Sequence, residues 1–157
     1  MSKNTSWLRK YRVHIIIGIV AVLLWVGSCL LLYFTLKPRG VSTIKTDLAP
    51  KALGFYSAAR TYGDLIFVAG QIGVDPAKDA LVSQNISEQT TQAMTNLKNI
   101  IEAAGGNMKN VLTTTIYLND NFLTYFTLVN DEYGKFFSSD SYPARATMAV
   151  KQLPLKN

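Results

Sequence analysis

The sequence predicts an α+β two-layer domain, a mixed sheet with two helices on one face, preceded by a single transmembrane helix. Three observations carry this prediction. An uncharged apolar run fills residues 15–34, β-branched segments flank two stretches of helical periodicity, and the segments follow the order strand, strand, helix, strand, helix, strand.

Residues 1–14 form a basic segment with Lys3, Arg9, Lys10 and Arg12. The next twenty residues, IIIGIVAVLLWVGSCLLLYF from Ile15 to Phe34, carry no charge. A helix rising ~1.5 Å per residue covers roughly 30 Å over that length, which matches the hydrocarbon core of a bilayer. A secretory signal shares the basic start, but its apolar core is about 7–15 residues long and ends at a small-residue cleavage site. No such site is recognisable here, so residues 15–35 are expected to be a retained single-pass membrane helix. Four basic residues precede the run, and Lys37, Arg39 and Lys45 follow it. The difference leans only slightly towards a cytoplasmic N-terminus.

Residues 36–40, containing KPRG, read as a linker, and residues 41–157 as one domain with a single core. Val41 to Thr46 reads as a short edge strand. Phe55 to Tyr62 and Leu65 to Gln71 form a hairpin across Gly63-Asp64, a glycine-first pair suited to a type II′ turn. Gly70 and Gly73 lead into an irregular stretch at Asp75-Pro76. Asn85 with Glu88 three residues on resembles a capping box, and Ala93, Met94, Leu97, Ile100, Ile101 and Ala104 recur at helical spacing until Gly105-Gly106. VLTTTIYL (Val111 to Leu118) alternates as a strand. Asn119, Asp120 or Asn121 can cap a second helix that presents Phe122, Phe126, Val129, Tyr133 and Phe136 on one face. Pro143 precedes the last predicted strand, SYPARATMAV.

Charge and rare residues narrow the chemistry. The net charge is +6, but residues 1–45 hold seven Lys/Arg and no acid, leaving nine Lys/Arg against ten Asp/Glu, or about −1, in residues 46–157. A near-neutral domain without a basic cluster argues against a nucleic-acid surface. His14 and Cys29 are the only histidine and cysteine, and both lie at or in the apolar run. Within one chain, residues 41–157 therefore cannot build Ser-His-Asp or Cys-His machinery or a His/Cys zinc site.

Arg145 is the anomaly, a charge set in an otherwise apolar strand. Alternation puts Arg145, Thr147 and Ala149 on one face and Ala144, Ala146, Met148 and Val150 on the other. The second set is expected to pack on the helices, and the first to line a cleft.

GFYSAA (Gly54 to Ala59), FVAGQIGVDP (Phe67 to Pro76), NLKNIIEAAGG (Asn96 to Gly106), VLTTTIYLND (Val111 to Asp120), VNDEYGKFF (Val129 to Phe137) and YPARATMAVKQLP (Tyr142 to Pro154) together resemble the RidA, or YjgF-like, family of reactive-intermediate deaminases. The resemblance implies a chorismate-mutase-like fold and a homotrimer with ligand clefts between subunits. It also implies cofactor-free hydrolysis of 2-iminobutanoate and 2-iminopropanoate to 2-oxo acids and ammonia. Arg145 then meets a substrate carboxylate with two parallel charge-assisted hydrogen bonds. Tyr56 corresponds to a tyrosine of the family's catalytic site, and Gly70, Asn130, Ala146 and Thr147 to positions that line it. Thr147 stands where many members have cysteine, and Ala69 where several have serine.

The family's last strand carries a glutamate that handles the attacking water, whereas this sequence runs only to Leu153-Pro154-Leu155-Lys156-Asn157. The expectation is a chain that binds small 2-oxo or 2-imino acids but hydrolyses imines slowly. Its alternative is a membrane-held, non-catalytic trimeric binding module. An endoribonuclease reading finds only GQIG (Gly70 to Gly73) and the basic N-terminus in its favour. That GxxG follows a strand rather than joining two helices, and the basic residues flank the apolar run.

Overall fold

The computed structural model describes residues 5–35, 40–119 and 122–153, in two compact units, 1–39 and 40–157. Among the expected features, Lys3 and the linker residues 36–39 lie outside the described residues. So do the candidate caps Asp120 and Asn121, and Pro154 to Asn157.

The first unit is helix α1, Thr5–Thr35. Its segment His14–Tyr33 is long and apolar enough to cross a membrane, and its described side chains are exposed.

The second unit begins with β1 (Val41–Ile44), β2 (Ala59–Tyr62) and β3 (Leu65–Val68), an antiparallel sheet in the order β1-β2-β3. The expected edge strand and hairpin are both present. Gly63 takes φ 57° while Asp64 keeps a negative φ, the signature of a type II′ turn. Both hairpin strands are shorter than expected, because the chain leaves the ladder after the Ala69 N–H bonds the Ala58 carbonyl at 2.9 Å. Gly73 is drawn against α2 instead: a Cβ there would lie 2.6 Å from the Gln89 Cα, so only glycine fits. The irregular stretch holds a miniature hairpin, β4 (Val74–Asp75) and β5 (Ala80–Leu81), closed by Asp79 at φ 51°.

Helix α2 spans Ile86–Ala103. The Asn85 side chain accepts from the backbone of Ser87 and Glu88, as the sequence predicts, and the helix stops before Gly105 at φ 80°. A 3-10 turn, Met108–Asn110, leads into β6 (Thr113–Leu118), then α3 (Phe122–Gly134), then β7 (Ala144–Ala149). Strands β6 and β7 pair in parallel, with α3 as the crossover.

One cluster unites these layers. Met94, Ile101, Met108 and Tyr133 are buried together, with Val68 of β3 and Ile116 of β6 packed against them. A second, around Ala49, Ala59 and Ile100, fixes β2 beneath α2. Both helices thus cover the same side of the strands. On the opposite side Tyr62, Leu65, Phe67, Tyr117 and Met148 are exposed.

Helices α2 and α3 are also bridged by a hydrogen bond from the Thr91 hydroxyl to the Glu132 carboxylate. Hydrogen bonds from the Lys135 ammonium (2.7 Å) and the Thr91 hydroxyl (2.9 Å) hold the Glu132 carboxyl below the usual glutamate range. A depressed folded value contributes stability that is present above the unfolded value, near 4.5, and is lost as pH falls through the folded one. Glu132→Gln is therefore expected to lower Tm at neutral pH, with the difference vanishing in acid and shrinking in high salt. A Tm gap that stays constant into acid would contradict this.

Candidate functional site

Register decides where Arg145 points. In the parallel pair, Thr114 lies beside Arg145, Ile116 beside Thr147 and Leu118 beside Ala149. Adjacent residues share a face. Leu118 is buried and Ile116 packs into the helix-covered cluster, so Arg145, Thr147 and Ala149 are on the helix side. This reverses the sequence expectation, which gave that side to Ala144, Ala146, Met148 and Val150. Alternation fixes the two sets but not which one the helices cover; the register with β6 decides. Ala144, Ala146 and Met148 are instead exposed, and the Ala146 methyl points away from Arg145.

A charge on the helix side needs partners, and α3 supplies them. Phe126, Asn130 and Tyr133 recur at helical spacing and meet one guanidinium. Arg145 Nη2 donates to Asn130 Oδ1 at 2.9 Å. Its Cζ lies 4.8 Å from the Tyr133 ring centroid and 5.9 Å from that of Phe126, both within cation–π range. The Tyr133 ring is itself held, its hydroxyl 2.9 Å from that of Thr114. Among the described residues no carboxylate pairs with Arg145, and the side chain remains exposed. The guanidinium is fixed at one corner and keeps most of its five N–H donors for another group.

The structure brings together Arg145, Asn130 and, on the same face, half-buried Thr147. Asn130 turns its amide oxygen to the arginine, which makes it a holder of the guanidinium. Tyr56 lies in the loop before β2: it is exposed, and its hydroxyl accepts the Leu53 N–H at 3.3 Å. Among the described residues no hydrogen bond or ring contact within the chain joins Tyr56 or Gly70 to Arg145. A Cβ built on Gly70 meets nothing within 4 Å, so its lack of a side chain serves no packing contact inside this chain.

Sequence reasoning placed Phe126 and Tyr133 on one face of the helix and missed their role at Arg145. The available signal was their spacing, four residues before and three after Asn130 on one helix.

Residues 46–157 match the family model described as Endoribonuclease L-PSP. A RutC family protein of Saccharolobus solfataricus is 41% identical over 111 residues, 71% of this chain and 86% of that protein. The 2-iminobutanoate/2-iminopropanoate deaminase of Bos taurus is 42% identical over 111 residues, 71% of this chain and 79% of the enzyme. The chain belongs to the RidA/YjgF family. The crystal structure of RidA from an Antarctic Psychrobacter matches with a TM-score of 0.67 at 38% identity, covering 72% of this chain and 89% of that one. Escherichia coli TdcF, crystallised with bound serine, matches with a TM-score of 0.66 at 30% identity, covering 72% and 88%. The α+β architecture is thus that of RidA/YjgF proteins, with an exposed apolar helix at the N-terminus.

Proposed function

We propose that this RidA/YjgF protein binds small 2-imino and 2-oxo acids by their carboxylate and hydrolyses 2-iminobutanoate and 2-iminopropanoate to the 2-oxo acids and ammonia. The observation that carries the reading is Arg145, held by Asn130 and Tyr133 and unpaired with any described carboxylate. An unpaired, oriented guanidinium is matched by a planar carboxylate. Support comes from two relatives, the bovine protein named for this deamination and TdcF with an amino acid bound.

The chemistry asks little beyond orientation. Water adds to C2 of the imine, the C=N double bond becomes single, and ammonia leaves as the carbonyl forms. Fixing the carboxylate directs C2 to one place in the site, and holding reactants in register is itself catalytic. Thr147 stands beside Arg145 on the same face and would approach C2. Tyr56 and Gly70, which make no described hydrogen bond or ring contact with Arg145 within one chain, would complete the site across a subunit boundary. A homotrimer with inter-subunit clefts suits the apolar sheet surface of Leu65, Phe67, Tyr117 and Met148, whose exposure in a single chain calls for a cover. Helix α1 would anchor the assembly to a membrane as a single span.

The test uses the full chain in detergent with threonine dehydratase, which releases 2-iminobutanoate, and semicarbazide to trap surviving imine. Less trapped imine and faster 2-oxobutanoate formation are expected. Binding of 2-oxobutanoate without acceleration would turn the reading into the non-catalytic module. Absence of both, or cleavage of single-stranded RNA instead, would overturn it.

A further inference from the structure

We propose that Tyr133, locked by Thr114, is a positioning residue that sets the plane in which Arg145 meets a carboxylate. The inference rests on the carboxylate-clamp reading and goes one step deeper. Three residues close a loop: Thr114 is the register neighbour of Arg145, its hydroxyl lies 2.9 Å from the Tyr133 hydroxyl, and the Tyr133 ring lies 4.8 Å from the Arg145 Cζ. The ring is only 5% exposed and is wedged against Met94, Ile101 and Met108, with Phe137 at 4.9 Å between centroids.

A buried tyrosine needs a partner for its hydroxyl, and any acceptor would satisfy that need. What Thr114 adds is location. It ties the far edge of the ring to the strand that neighbours Arg145, so the ring cannot tilt without breaking a partly buried hydrogen bond. Asn130 fixes one amino group of the guanidinium, which still leaves rotation about that contact. The ring face removes this remaining freedom. A bidentate carboxylate contact depends on the plane of the guanidinium, so losing the platform costs affinity even though the charge remains.

The probe is 2-oxobutanoate, titrated calorimetrically into the full-length chain in detergent. Arg145→Ala tests the clamp itself and is expected to weaken binding by about 10²- to 10³-fold. Tyr133→Leu is expected to weaken binding by about 3- to 30-fold, and Thr114→Val, which keeps the shape and removes the hydroxyl, by about 2- to 5-fold. The decisive readout is coupling. Arg145→Lys discards the planar fork, and its penalty should shrink in the Tyr133→Leu background, where the plane is no longer set. A purely structural role would lower Tm and leave that penalty unchanged. If Arg145→Ala weakens binding to that extent while Thr114→Val and Tyr133→Leu bind normally, the positioning inference falls and the clamp stands. If Arg145→Ala binds normally, both fall. Should Tyr133→Leu fail to fold, Thr114→Val alone decides, assayed also with Arg145→Lys for the same coupling.

Discussion

Arg145→Ala is expected to weaken binding of 2-oxobutanoate by about 10²- to 10³-fold and to leave the fold almost untouched. Hydrogen bonds to charged groups are worth about 1.5–3 kcal/mol each. The side chain is exposed in the single chain, so we take the lower end for a bidentate pair, about 3–4 kcal/mol. At about 1.4 kcal/mol per tenfold this gives the stated range. The stability change is smaller by contrast, since the lost contacts are a hydrogen bond to Asn130 and two cation–π contacts of an exposed guanidinium, to Tyr133 and Phe126, each worth about 0.5–1 kcal/mol. Arg145→Lys keeps the charge without the fork and should recover only part of the affinity. Binding of the 2-oxo acid by Arg145→Ala within a few-fold of the parent chain would remove the basis of the proposed function.

The contrast between that arginine and its surroundings shows which features a sequence reveals. The type II′ hairpin at Gly63-Asp64, the Asn85 cap and the stop at Gly105 were all legible, because each is decided by residues within a few positions of one another. Arg145 was legible as an anomaly for a similar reason: an unpaired charge in an apolar strand is costly wherever the strand lies. Its orientation was not legible. Whether Arg145 or Ala146 faces the helices depends on pairing β7 with β6 thirty-one residues away, in register Thr114 to Arg145, and no local pattern encodes that. The apolar set Ala144, Ala146 and Met148 looked like core and instead faces outward. Strand ends were misjudged where a tertiary contact intervened, as when the chain leaves the ladder after Ala69 and brings Gly73 against the backbone of Gln89. The β4–β5 pair went unseen because two residues per strand are too few to show alternation.

Asn96 escaped notice by the same logic, and it is where the largest loss of stability is expected. It sits within the apolar stripe of α2 and is completely buried, yet it is polar. Its Nδ2 donates to the carbonyls of Ile72 at 3.1 Å and Val74 at 2.9 Å, and its Oδ1 accepts from Gln92 Nε2 at 2.9 Å. The two carbonyls bracket Gly73, the residue that must press against Gln89. A single amide therefore satisfies the backbone that the chain strands when it leaves the sheet. Asn96→Leu, of similar size, leaves the Val74 carbonyl without its Asn96 donor, at about 1–3 kcal/mol, and takes from the Ile72 carbonyl one of two donors, the Val74 N–H at 2.8 Å remaining, for about 2–4 kcal/mol together. At about 4 °C of Tm per kcal/mol, between the values for domains of about 100 and about 150 residues, the fall should be on the order of 10 °C. Asn96→Asp should be worse at neutral pH, because it aims a buried charge at two carbonyl oxygens. Hydrogen exchange locates the damage: the amides of Val74 and Val82, which bond the Ile72 and Gly73 carbonyls, should lose protection before those of β2 and β3. An Asn96→Leu protein that melts within two or three degrees of the parent would show that these carbonyls find water or another donor, and that the turn from β3 into β4 does not depend on α2.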